Sequence, residues 1–218
     1  MKRLTNIFCI ALLGTLAACN DASTGSESTK SDTTANTSAG ADETPMLKDT
    51  AALNQAMYAA SMPGEVHNMI AKDNGVWEAE MTFWQTPDAQ PMKMTGTATN
   101  KTIWDNRYQQ SNFRCEMAPG MVFEGVSTLG YDNVKKAFVN TWIDNMATGI
   151  MYMEGKYDSA NKTVNLAGKS TDYRTGKDVS MRQTFRWVDD NTQHLEMYAT
   201  YPGGKEFKNM EITYKRKK

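Results

Sequence analysis

The sequence predicts an all-β protein: an antiparallel up-and-down barrel of about ten strands, entered through a short helical segment. Three observations predict it. From Trp77 onward, apolar residues recur at every second position, with Trp77, Ala79, Met81 and Phe83 alternating against Glu78, Glu80 and Thr82. Turn residues punctuate that alternation every ten to fifteen residues or so. The pattern then runs on to Tyr214, and a meander that long removes its exposed edges by closing on itself. A β-sandwich is the alternative arrangement of the same strands.

The chain opens with MKRLTNIFCIALLGTLAAC. Lys2 and Arg3 form a positive start, and Ile7 to Leu16 form an apolar run too short to span a bilayer. The run ends in Leu16-Ala17-Ala18-Cys19, which resembles a bacterial lipobox. Residues 1–18 are therefore expected to be a signal peptide and Cys19 a lipidated residue. This predicts an envelope lipoprotein whose partner is the membrane that holds its anchor. From Cys19 to residue 44 the chain is mostly Ser, Thr, Ala, Gly and Asp with no large apolar side chain. Such a segment cannot bury enough surface to offset its ordering entropy, so 19–44 is expected to be a tether.

Residues 45–218 are the expected domain. Asp49 or Thr50 can cap a helix carrying Leu53, Met57 and Tyr58; Pro63-Gly64 breaks it; a second short helix follows around Glu65 to Lys72. The strands are then separated by turns such as Pro87-Asp88, Ala118-Pro119-Gly120, Asp132-Asn133, Asp158 to Asn161, Thr175-Gly176, Asp189-Asp190-Asn191 and Pro202-Gly203-Gly204. Asp and Asn bond their own backbone there, and Gly accepts positive φ.

Composition limits the function classes. Loss of Lys2 and Arg3 takes the 24 basic residues to 22 against 25 acidic, a net charge of −3. That balance gives no general attraction to nucleic acid. Cys9 leaves with the signal and Cys19 carries lipid, so Cys115 has no disulfide partner and reads as a small core residue. There is no GxSxG, HxH or HExxH, so no catalytic set is assigned and no metal site is expected.

The segments PGEVHNMIAKDNGVWEAEMTFW, FEGVSTLGYDNVKKAFVNTWIDNMATGI, EGKYD and GGKEFKNMEITYKRK resemble the secreted bacterial domain of unknown function 1579. The resemblance spans nearly everything from Pro63 to Lys217. It implies a lipocalin-like, calycin-type barrel, and it implies no activity.

The candidate site centres on NTWIDNMATG, where Trp142 and Asp144 share one face of a strand. With Asp144 opposite Ile150, Trp142 would lie beside Tyr152 and Asn140 beside Glu154. Glu124 of the preceding strand would join them, giving a pocket wall of Glu124, Trp142, Asp144, Tyr152 and Glu154. The competing reading is a structural corner, with Asp144 capping the turn after it. His67 and His194 are secondary candidates, and haem held by one axial histidine, His194 the better placed, is the one cofactor weighed; none is predicted. The expected function is binding of a small, partly apolar ligand. An enzyme working in the barrel cavity, either a haem-dependent isomerase or a carboxylate-dependent hydrolase, is the alternative.

Overall fold

The computed structural model describes residues 49–218. The signal segment, Cys19 and the tether expected over 1–44 lie outside the described residues. Two helices, α1 (Thr50–Ser61) and α2 (Glu65–Ala71), precede ten strands. These are β1 (Gly75–Phe83), β2 (Met92–Ile103), β3 (Tyr108–Ala118), β4 (Met121–Asp132), β5 (Ala137–Asp144), β6 (Met151–Asp158), β7 (Thr163–Thr171), β8 (Asp178–Asp189), β9 (Thr192–Thr200) and β10 (Phe207–Arg216). Each strand pairs antiparallel with its sequence neighbour, and β1 pairs with β10 to close the barrel. Closure leaves no strand edge unpaired, as the long meander requires.

Period-two alternation sorts the side chains. In β1, Trp77, Ala79 and Met81 are buried while Val76, Glu78 and Glu80 face solvent. The registers carry that parity around the barrel: Ala98 opposite Trp77, Phe113 opposite Ala98, Gly125 opposite Phe113, Asp144 opposite Gly125. The β2–β3 reversal is built without Gly or Pro. Between β2 and β3, Trp104, Asp105 and Asn106 all take positive φ (50°, 54° and 64°), and Asp and Asn tolerate that region best.

The two ends of the barrel differ. At one, α2 inserts Ile70 and His67 into the barrel, and Gln109 Nε2 donates to the Ile70 carbonyl at 2.9 Å. The turn after α2 is stitched down by Trp77 Nε1 to the Asp73 carbonyl (2.8 Å) and Trp187 Nε1 to Asp73 Oδ2 (2.6 Å). Arg216 completes the seal, donating at 2.7 Å to the carbonyls of both Lys72 and Asn74 and stacking over Trp77. Helix α1 is capped by Asp49, buries no residue, and is held at its end by Asn133 and Arg107. At the opposite end no described helix covers the barrel. Its rim carries Met92, Met117, Met121, Met146 and Ile150, all exposed.

The apolar inner wall is divided. One buried cluster joins α2 to β5–β9 through Ile70, Phe138, Met153, Leu166, Met181 and Met197. The other lies on β1–β3 and β10, with Trp77, Met81, Phe113 and Ile212. Leu195 and Met210, both half-buried, are packed against each cluster.

Candidate functional site

The site follows from which residues point inward near the open end. Trp142 and Asp144 both do: Trp142 lies opposite Ser127, Asp144 opposite Gly125. Trp142 Nε1 donates to Asp144 Oδ2 at 2.8 Å, and the other carboxylate oxygen accepts the Met146 backbone N–H at 2.9 Å. The expected pocket wall and corner therefore coincide in one residue. Asp144 faces the barrel interior and also caps the chain where it leaves β5. The indole lies against Gly125, where an added Cβ would sit 2.2 Å from Trp142 Cζ2. Phe123 stacks on Trp142 at 6.2 Å between centroids, and Phe113 meets Phe123 edge-on at 6.1 Å. An aromatic strip thus runs across β3, β4 and β5 beneath the mouth.

The expected β5–β6 pairing is corrected. Trp142 pairs with Met151, Asn140 with Met153 and Phe138 with Gly155, so Tyr152 and Glu154 stand opposite Thr141 and Val139 on the outer face. The hydrophobic pattern decides this parity. It places Met153 fully inside, whereas the expected register would bury Glu154 and expose two methionines. Outside, Glu154 accepts from Lys135 Nζ and from the Tyr152 hydroxyl, each at 2.7 Å, and both bonds hold its carboxyl below the usual range. Glu124 is also outward and pairs with Arg114 at 2.9 Å. Of the five residues, the structure brings Trp142 and Asp144 together in the lumen and leaves Glu124, Tyr152 and Glu154 on the outside.

The histidines also divide. His67 is buried; its Nδ1 accepts the Gly64 N–H at 3.0 Å and its ring meets Tyr131 edge-on at 5.9 Å between centroids. Burial lowers its pKa, so it sits neutral as part of the α2 plug. His194 faces outward from β9, opposite Thr213 of β10 and Arg186 of β8, and so does not reach the lumen where a haem would sit. Beside it, ligand atoms of His194, Glu196 and Glu211 lie within 4.8 Å of one another, a grouping across two strands that sequence spacing did not reveal. The Lys208 ammonium already bridges both of those carboxylates, at 3.2 Å from Glu196. An open depression of about 350 Å³ adjoins it, lined by Thr163, Thr184, Arg186, His194 and Glu196. Cys115 is buried and burial pushes its thiol up, away from a reactive thiolate.

Sequence reasoning missed the polar groups of the inner wall. Gln183, Gln193, Asn140 and Gln109 are buried and point inward. Asn140 Oδ1 accepts the Ser127 hydroxyl at 2.6 Å, while Gln193 Nε2 and Asn100 Oδ1 have no partner among the described residues. A glutamine at an inward position of an otherwise apolar alternation was the available signal.

A closed, ten-stranded, up-and-down barrel, plugged by a helix at one end and lined by aromatic and amide side chains, is the class of protein defined here. More particularly, the chain belongs to the family described as "Protein of unknown function (DUF1579)", whose model matches residues 62–216. No curated protein matches it. Among solved structures, the chain is similar in fold to the crystal structure of Rv2717c from M. tuberculosis. The TM-score is 0.55 at 11% identity, over 72% of this chain and 100% of that one.

Proposed function

We propose that the barrel is a binding module that takes a small, partly apolar ligand through its open end. The observation that carries this reading is the divided inner wall. A filled barrel interior forms one contiguous core, whereas here two buried clusters face each other with only Leu195 and Met210 packed against both. Inward residues at mid-barrel, among them Ser127, Phe185, Leu195 and Tyr214, keep accessible surface. Tyr214 is among them, and burial drives its hydroxyl well above the ordinary tyrosine pKa. Eight strands already suffice to hold one small ligand, and diameter grows with strand number. The methionine-bearing rim suits passage of an apolar molecule, because unbranched thioether chains adapt to it.

The barrel works, on this reading, from a lipid anchor on Cys19 in the bacterial envelope. Each buried CH₂ of an acyl chain contributes about 0.8 kcal/mol, so several chains hold firmly where one does not. Replacing Cys19 with Ser should abolish palmitate labelling; undiminished labelling would remove the anchor from the proposal. Ligand binding is tested by native mass spectrometry of the purified full chain. A bound small molecule that is released on unfolding is the expected result. No bound molecule, together with no response of tryptophan emission to any apolar compound, would overturn it.

A further inference from the structure

The inner wall also constrains the charge of its occupant, an inference that rests on the ligand-binding reading above. Strand parity assigns each position of the ten strands to the lumen or to the outer face. Among the described strand residues, Arg216 is the one basic side chain at an inward position, and it is fully engaged. Its three nitrogens donate to the carbonyls of Lys72, Asn74 and Asp190, and it belongs to the seal at the helical end. The other strand cations, including Arg114, Lys169, Arg182, Arg186 and Lys208, occupy outward positions.

Apart from the engaged Arg216, the inward charges include Asp144 near the mouth and Asp73 from the turn beneath the barrel. Between them lie neutral hydrogen-bonding groups. Gln183 is only 7% exposed, stands opposite Leu166 and Met197, and makes no side-chain hydrogen bond to another described residue. Gln193 is 2% exposed, and its Nε2 and Asn100 Oδ1 have no partner among the described residues. Both of these side chains lie beside Asp73, to whose carbonyl Asn100 Nδ2 donates at 3.3 Å, and buried amide atoms left unpartnered are uncommon in folded proteins and call for water or a ligand group. A carboxylate entering this lumen would lose its hydration and meet acids in place of a cation. A hydroxyl, amide or ester can satisfy the amides at no such cost.

We infer that the barrel selects an uncharged amphiphile, an apolar body bearing a hydrogen-bonding group that reaches Gln183, and excludes the carboxylate of the same chain length. The test is a matched series, dodecanol, methyl dodecanoate and dodecanoate, titrated at neutral pH into the purified full chain with tryptophan emission as readout. The alcohol and the ester are expected to bind at least about tenfold more tightly than the carboxylate. Equal binding of dodecanoate would overturn this inference and leave ligand binding standing. Failure of all three to bind, with nothing retained in native mass spectra, would overturn the binding reading itself. Gln183→Leu removes a buried amide that bonds no other described side chain and should fold at least as well as the wild type. It should weaken dodecanol by about tenfold, the worth of one satisfied hydrogen bond, and unchanged dodecanol binding would remove Gln183 from the site.

Discussion

Trp142 and Asp144, two positions apart on β5, are locked to each other inside the barrel by a 2.8 Å bond from the indole N–H to the carboxylate. The same carboxylate holds the Met146 N–H, so one side chain fixes both the aromatic strip and the exit of the strand. Asp144→Ala releases two donors. At about 1 kcal/mol net for each hydrogen bond, it should cost about 2 kcal/mol and shift Trp emission. Asp144→Asn retains an acceptor and should lose about half as much. Urea denaturation followed by fluorescence measures both. Equal, negligible losses would show that the pair orients nothing.

Gly125 is coupled to that pair by contact. An alanine Cβ would stand 2.2 Å from the Trp142 ring and must drive the indole off its site. Gly125→Ala should therefore destabilise by about 1–3 kcal/mol, as overpacking of a core does. It should also break the bond to Asp144. In a double-mutant cycle, Gly125→Ala and Asp144→Ala should then cost clearly less together than the sum of their separate effects. Strict additivity would mean that the indole accommodates the methyl without leaving Asp144.

Much of the fold was legible because each level of the sequence agrees with the next. Alternation in Trp77 to Phe83, Asx and Gly turns, and the Asp49 cap all specify the element that is observed. The turn at Trp104 was hidden, since tryptophan reads as a strand residue and the reversal rests on Asp105 and Asn106 in left-handed conformations. The site was half legible. That Trp142 and Asp144 share a face follows from period two alone. Which face of β6 joins them does not, because a loop of unknown pairing separates the strands and a shift of one residue exchanges Tyr152 and Glu154 for Met151 and Met153. The burial of Met153 was the available criterion, and it outweighs the attraction of gathering acids beside an indole.

The chain shortened to begin at Thr44 should melt cooperatively at the temperature of one beginning at Asn20. Residues 20–43 carry no large apolar side chain. The described residues alone close the barrel, plug it with Ile70 and cap α1 with Asp49. Differential scanning calorimetry of the two chains is the check. A drop of several degrees would mean that the preceding segment packs on the domain.

Asp73 sets a pH dependence of the opposite sign to ordinary acid denaturation. Burial raises its pKa from 3.8 to about 6, against the lowering effect of the Trp187 bond and the nearby Arg216. Between those two pH values the folded state binds a proton that the unfolded state has released. Stability from this group is thus greatest in acid, falls as pH rises through about 6, and is constant above. The shift corresponds to about 3 kcal/mol at most, since one unit is worth 1.36 kcal/mol. Asp172 works the other way: its bonds to Arg174 hold its carboxyl down at about 2, a contribution lost only in strong acid. Asp73→Asn separates the two effects. The amide oxygen can still accept the Trp187 N–H, while the buried charge is gone. The variant should equal or exceed the wild type in stability at pH 7, and its advantage should shrink as pH falls from about 6 toward 4. Urea midpoints of both chains across that range decide the matter. A variant less stable at pH 7 than at pH 4, relative to wild type, would show that the Asp73 charge is favourable where it sits, through Arg216, and that the seal at the helical end is an ion pair.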